Sequence, residues 1–554
     1  MGTKIKVVAS VIVICLATTY LSADTEKVYT GVPEQLKSQP TPIPEITPPA
    51  KPEMKLEMGK KIKVEKFLIS GNKRVSTDEL LAAIEKYKGK ELALQQLVEL
   101  ADIVTRKYWE KGYITSFAYI PAQKFERGIL EIEVVEGKAG NIVVENNKYY
   151  TTQFISKYFT SVLKEGILDS KTMERALLLL NEFPQLSINA TLRKGEQPNT
   201  SDIVLNVKEK RYPMNFSLFY NNFGSKYTGE HRVGLVWDWG NLTKNGDILS
   251  LTGITTPEDF NQMFYWKAGY SIPLNATGTK LALDYSKMKY EIGKELAILD
   301  ITGEAEVFGF SVSHPLVRAR DKNLYWNAGL RHKLYENFLF EKTYTTSSDD
   351  YSVIELGIEG DKIRGKNHSY FSLKTTAGLG DIFGMDEDRY TSSSRPGLAG
   401  GEWVKLNLDL TNITKLGSCQ LITRGSGQFA TSSLVTAEEF SIGGPDSVRG
   451  YPVGEYLGDY GYLLSAELRT PFLPGKSNAN NYANWAFFVD HGGVYYDETL
   501  PGEKKENYLT SAGLGLRISV PARFNLRFDA AYPLGQDASD GDDWRYWLNA
   551  AFEF

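Results

Sequence analysis

Cysteine is almost missing from this 554-residue chain: Cys15 and Cys419 are its two representatives. Once a leading segment containing Cys15 is removed, no internal disulfide and no four-thiolate zinc site can form. Histidine is nearly as scarce, and His231, His314, His332, His368 and His491 are scattered with neither an H-E-x-x-H run nor paired ligand spacing. Neither charge dominates: 63 basic against 68 acidic residues leave a net charge of -5, without the basic footprint of a nucleic-acid partner. The chain has no G-x-x-x-x-G-K-[ST] phosphate loop, and neither a Ser-His-Asp set nor a catalytic carboxylate pair stands out. The residues thus point away from an enzyme and call for no cofactor or metal. Long apolar runs are missing too. Beyond Val7 to Leu21 none reaches about 18 residues, so a membrane-bound form would have to cross as a closed barrel.

What is present begins with that run. Lys4 and Lys6 precede it and Ser22-Ala23 offers small residues for cleavage, the layout of an export signal over residues 1–23. Residues 24–60 follow as a proline-rich segment, PEQLKSQPTPIPEITPPAKP at its heart, whose missing amide donors predict a semi-extended linker. Only about nine residues separate the expected cleavage site from the first proline, short for an isolated helix.

Next come two copies of one pattern. Residues 61–138 predict a strand at 62–70, a helix opened by Ser76 with Glu79 and running to Tyr87, a second helix at 91–111, and strands at 114–120 and 129–135. Residues 139–210 repeat it, with a strand at 140–145, helices at 152–163 and 170–181, and strands at 186–193 and 202–207. Two β-α-α-β-β modules result, each with strand edges able to accept an extended segment of another chain.

From Arg211 to Phe554 the period becomes two. In the last stretch Trp544, Tyr546, Leu548, Ala550, Phe552 and Phe554 share one face while Arg545, Asn549 and Glu553 share the other. One face suits lipid and the other a wet lumen. A trial division by sixteen leaves roughly 21 residues for each strand with its loop, a workable spacing. The 32 Tyr and 26 Phe suit strands and membrane girdles. The acidic runs 386–388 and 537–543 lack EF-hand spacing and read as solvated loops.

One stretch of this segment departs from simple alternation. Residues 441–460 are broken by Gly443, Gly444, Gly450, Gly454 and Gly458, and they feed a strand in which Ser465, Glu467 and Arg469 face opposite to Leu464, Ala466 and Leu468. The loop holds Val448-Arg449-Gly450-Tyr451, and a later strand holds Phe488, Asp490 and Gly492 on one face. Taken singly, Arg449 reads as a solvated loop charge and Asp490 as a strand-end residue. Together they resemble the VRG(Y/F) motif of the sixth loop and the F-x-D-x-G strand motif of polypeptide-transporting outer-membrane barrels, in particular the two-partner secretion (TpsB) transporters.

That resemblance implies a transmembrane β-barrel of sixteen antiparallel strands, residues 211–554, preceded by two periplasmic POTRA-like α+β modules. It implies an inward-folded loop around 441–460, and an outer-membrane location reached with help from the barrel assembly machinery through the terminal Phe554. The implied function is export of an adhesin- or haemolysin-type partner protein captured by the modules; the alternative is an insertase of the same superfamily. The Arg449 fork and the Asp490 carboxylate can pair if the loop folds inward. Gly450 would then set the tip's backbone, Tyr451 would bond to the inner wall, Phe488 would pack and Gly492 would leave room for the loop. Glu467 and Arg469 would either join the network or stay water-bound, in a lumen whose water screens the pair.

Overall fold

The structure, a computed structural model, describes residues 45–46, 61–123, 128–164, 166–210, 213–260, 262–340, 342–380, 392–473, 475, 482–521 and 523–554. The expected export signal, the rest of the proline-rich segment and the acidic run 386–388 lie outside the described residues. The chain forms two compact units, the modules and, from Pro213, the barrel.

The first module contains β1 (Lys66–Ser70), α1 (Thr77–Ile84), α2 (Leu94–Glu110), β2 (Phe117–Tyr119) and β3 (Ile129–Val135). β3 is central, parallel to β1 and antiparallel to β2. Alternation drives Phe67, Ile69, Leu130 and Ile132 against Leu80, Ile84, Leu97, Leu100 and Val104 from the helices. The second module contains β4 (Lys138–Glu145), α3 (Thr152–Lys157), α4 (Thr160–Lys164), α5 (Ser170–Leu180), β5 (Leu186–Lys194) and β6 (Thr200–Glu209). β6 is central in the same way, parallel to β4 and antiparallel to β5.

Two expectations need correction. The helix expected over 152–163 is broken between α3 and α4, where the Tyr158 and Phe159 amides bond three residues back, to Ile155 O (3.2 Å) and Ser156 O (3.0 Å). That tighter winding lets both rings enter the core. The linker, in turn, is not wholly without pairing: Glu45–Ile46 lies parallel to β5 opposite Thr191 and Leu192.

The repeat extends to individual hydrogen bonds. Asn72 donates to Val75 O (2.9 Å) and Thr77 Oγ1 (3.0 Å), while Asn147 donates to Tyr150 O (3.0 Å) and Thr152 Oγ1 (3.2 Å). Glu136 accepts the amides of Lys73 and Arg74, both at 2.7 Å, and Glu209 those of Lys148 and Tyr149, both at 2.8 Å. In each copy a carboxylate from just beyond or within the end of the last strand fixes the turn that starts the helices.

The barrel closes with sixteen strands. They are β7 (Met214–Asn221), β8 (Arg232–Gly240), β9 (Ile248–Thr255), β10 (Met263–Pro273), β11 (Lys280–Glu291), β12 (Thr302–Arg318), β13 (Lys322–Leu339) and β14 (Tyr344–Arg364). Then follow β15 (Asn367–Gly378), β16 (Val404–Leu416), β17 (Cys419–Ala430), β18 (Tyr460–Pro471), β19 (Ala483–Tyr495), β20 (Glu506–Val520), β21 (Phe524–Pro533) and β22 (Arg545–Glu553). All neighbours are antiparallel, and β7 pairs with β22 to close the ring. Leu218, Phe308, Leu330, Leu356, Leu464, Phe487 and Phe552 are exposed around the outside. Such a continuous apolar belt is far larger than a water-soluble surface tolerates and fits lipid.

Closure is not uniform. β7 and β22 share five paired positions, from Ser217 opposite Glu553 to Asn221 opposite Asn549. The ladder is prolonged by a side chain: Asn222 Oδ1 accepts the Leu548 amide (2.7 Å) and its Nδ2 donates to Tyr546 O (2.8 Å). Most connections are short at the end where the chain enters the barrel, as at 365–366 and 417–418, with 472–482 an exception, and the longest lies at the far end, at 431–459.

Candidate functional site

The longest far-end connection, loop 6, joins β17 to β18 and descends inside the barrel. Its arms pair as a short ladder, Phe440–Ile442 with Tyr456–Gly458, so a stretch read as non-periodic contains a hairpin. Gly443 and Gly444 bend that hairpin with φ of 101° and 106°; a Cβ on Gly443 would lie 2.4 Å from Pro452 O.

At the tip Arg449 is almost fully enclosed. Its Nε donates to Asp490 Oδ2 and its Nη2 to Asp490 Oδ1, both at 2.8 Å, a two-pronged grip on one carboxylate. Nη1 donates to Glu467 Oε2 (2.7 Å), and the plane of the guanidinium lies over the Phe488 ring with 3.4 Å between its carbon and the centroid. Asp490 also accepts the Ser465 hydroxyl (2.7 Å). The side chains of Arg449 and Asp490 are only 5% and 0% exposed. The water screening expected for this pair is therefore absent where the pair sits: loop and wall have expelled the solvent.

Glu467 and Arg469 both belong to the network. Arg469 Nε donates to Glu467 Oε1 (2.7 Å), and Arg517 Nη2 donates to Glu467 Oε2 (2.9 Å) and Asp529 Oδ1 (2.6 Å). Arg527 joins through Asp529 Oδ2 (2.7 Å) and reaches Asp446 of the loop (2.6 Å). Trp547 donates its indole N–H to Arg449 O (2.7 Å). Arg517, Arg527, Asp529, Asp446 and Trp547 were not singled out from the sequence. The signal was there in part: Arg517, Arg527 and Asp529 all sit on the inward parity of their strands, opposite the lipid-facing Leu514 and Tyr532.

The other motif positions are explained by space. Gly450 lies outside the left-handed region, so close approach rather than backbone freedom requires it: a Cβ would fall 2.8 Å from Ser511 Cβ and 2.9 Å from Pro533 N. At Gly492 a Cβ would meet Ile442 Cγ2 at 3.0 Å and Val448 Cγ2 at 3.3 Å, both from the loop. Gly513 clears room for the Phe488 ring, 2.5 Å from its missing Cβ. Val448 and Tyr451 are buried with Ile442, Val494 and Leu509. The Tyr451 hydroxyl donates to Gln536 O (2.9 Å), which belongs to the connection after β21 and not to the barrel wall.

Gly450→Val should therefore loosen the tip, since the backbone of Pro533 cannot retreat as a side-chain end could; overpacking of this kind costs about 1–3 kcal/mol. Trypsin cleavage after Arg449 in the detergent-solubilised barrel should accelerate by at least about tenfold. An unchanged rate would show that the tip tolerates the branch.

Among the described residues no group of three or more His, Cys, Asp or Glu side chains is placed to hold a metal ion. The molecule is an outer-membrane β-barrel with periplasmic POTRA modules and an inward loop locked to its wall. It belongs to the haemolysin secretion/activation family ShlB/FhaC/HecB, whose model matches residues 199–518, with a ShlB-type POTRA domain over residues 62–137. A related sequence is the heme/hemopexin transporter protein HuxB of Haemophilus influenzae, 24% identical over 496 residues that make up 88% of this chain and 86% of the relative. CdiB from Escherichia coli has the same fold with a TM-score of 0.73 at 20% identity, over 91% of this chain and 93% of its own. CdiB from Acinetobacter baumannii superposes with a TM-score of 0.69 at 20% identity, over 99% of both chains. The near end of the barrel thus faces the periplasm and the far end the exterior.

Proposed function

We propose that this protein exports an adhesin- or haemolysin-type partner, unfolded, from the periplasm to the cell surface through its barrel. The modules receive the partner, and the Arg449 anchor holds loop 6 in one arrangement between passages. The observation that carries this reading is the combination of a buried, multiply bonded loop anchor with two modules that keep strand edges; a passive pore needs neither. With no phosphate-binding loop in the chain, the driving energy is assigned to folding of the partner outside. A second reading, insertion of other barrels through an opened seam, draws support from the five-position pairing of β7 with β22.

A disulfide across that seam separates the two. Tyr220 and Ala550 are paired neighbours, so Tyr220→Cys with Ala550→Cys can lock the ring. Export of a co-expressed candidate exoprotein should proceed in the oxidised variant as in its reduced form. Loss of export on oxidation alone would favour release through the seam.

A further inference from the structure

A second set of buried bonds lies about ten residues up the loop from Arg449, at the outer end of the barrel. Glu438, on a short turn of the descending arm, is 2% exposed yet charged partners surround it. Its carboxylate receives Lys333 of β13 (2.5 Å), Lys405 of β16 (2.7 Å) and the Tyr351 hydroxyl of β14 (2.7 Å). Burial works against its charge, but the two lysines hold the Glu438 carboxyl well below the ordinary carboxylate range. The adjacent Glu439 accepts Arg395 Nη1 (2.7 Å) from the loop before β16. That same guanidinium donates to Glu503 Oε2 (3.0 Å) and Glu498 O (2.9 Å) of the loop after β19, and stacks 4.1 Å from the Tyr496 ring centroid.

The returning arm is tied to the same place. Asp459, fully buried, accepts the amides of Leu434 (2.7 Å) and Asp497 (2.8 Å). One side chain of β17 grips both arms at once: Gln428 Nε2 donates to Glu438 O (3.0 Å) and Asp459 O (3.2 Å), while its Oε1 accepts Asn407 (2.8 Å). Leu434, Val435 and Ala437 beside it pack with Trp403, Tyr351 and Tyr335.

We propose that loop 6 hangs from a fixed outer collar, and that Glu438, Arg395, Asp459 and Gln428 are positioning residues that keep the hairpin of residues 440–458 inside the barrel when the Arg449 anchor releases. Release of the anchor then frees an inner pendant that swings within the lumen. The loop does not evert to the cell surface, because eversion must also break the collar, whose ion pairs through Glu438 and Arg395 and hydrogen bonds through Gln428 and Asp459 are buried. The collar draws on β13, β14, β16 and β17 and two outer loops, whereas the anchor draws on β18 to β22, so the two can part independently.

The test needs no partner protein, so its outcome is independent of whether export occurs. In a Cys419→Ser background, Val453→Cys places a thiol on the hairpin, and intact cells are treated with a maleimide on a polyethylene glycol chain too bulky to cross the outer membrane. Arg449→Ala alone should leave labelling at position 453 within about twofold of the parent. Adding Arg395→Ala and Glu438→Gln should raise it by at least about tenfold. Heat-modifiable mobility verifies that each barrel is folded. If the triple variant does not assemble, Gln428→Leu with Arg449→Ala removes the Gln428 grip on both arms without touching a charge of the collar, and the same rise is expected. Full labelling in Arg449→Ala alone, or none in folded collar variants, overturns the proposal.

Discussion

Arg449→Ala is expected to give a folded barrel in the outer membrane that exports at most about a tenth of the partner. The barrel survives because its ladder closes through all sixteen strands, and none of those backbone bonds involves Arg449. The loss falls on the anchor. Glu467 keeps Arg517 and Arg469, and Asp529 keeps Arg517 and Arg527, but Asp490 loses both guanidinium prongs and is left with the long bond from the amide of residue 449 (3.3 Å) and the hydroxyls of Ser465 (2.7 Å) and Ser511 (3.4 Å). Removing one partner of a buried pair costs about 3–5 kcal/mol, enough to shift the tip by more than tenfold from its single position. A freed tip samples positions that obstruct the passage. Asp490→Ala should be milder, since Arg449 retains Glu467. The double variant should be no worse than Arg449→Ala, and export rate at equal surface abundance measures this. Strictly additive single effects would show that the contact contributes nothing to export.

Removal of residues 61–209 should abolish capture of the partner while the barrel still inserts. The modules form a compact unit of their own, with cores closed by residues such as Leu97, Leu100, Leu130 and Ile132 in the first copy. The barrel's apolar belt owes nothing to them. The truncated protein should keep heat-modifiable mobility in the outer-membrane fraction, with the partner held in the periplasm. A synthetic N-terminal segment of the partner should no longer bind vesicles carrying the barrel. Undiminished binding would remove the receptor role from the modules.

Much of this architecture was legible because period and punctuation act locally. Strict alternation at Leu464, Ala466 and Leu468 against Ser465, Glu467 and Arg469 fixes which side meets lipid, and the pairing register carries that choice across the sheet. The modules were legible for the same reason, helix stripes and turns being set within a few residues; the break at Tyr158 was not, since it answers to packing from elsewhere in the core. The site was legible only in its two motifs. That Arg449 is dry depends on Phe488, Glu467, Arg517 and Trp547, which come from four different strands, and no local pattern announces that they converge. The same is true of Gln428, which looks like any inward polar residue until both arms of the loop are found on it.

The direction of those contacts along the chain has a consequence for biogenesis. Every wall residue that grips Arg449 lies after it in sequence: Glu467, Asp490, Asp529 and finally Trp547 on β22. The collar's wall residues, Lys333, Tyr351, Lys405 and Gln428, all lie before the loop. A chain emerging in order can begin to hang loop 6 from Lys333, Tyr351, Lys405 and Gln428 once β17 is laid, but the collar's contacts to Asp497, Glu498 and Glu503 wait for the loop after β19, and the tip is gripped by Asp490 only with β19 and by Trp547 only with β22. Fastening thus comes later than hanging, and an intermediate stalled before β19 would leave Arg449 without Asp490 and open to trypsin while its loop already hung from Lys333, Lys405 and Gln428.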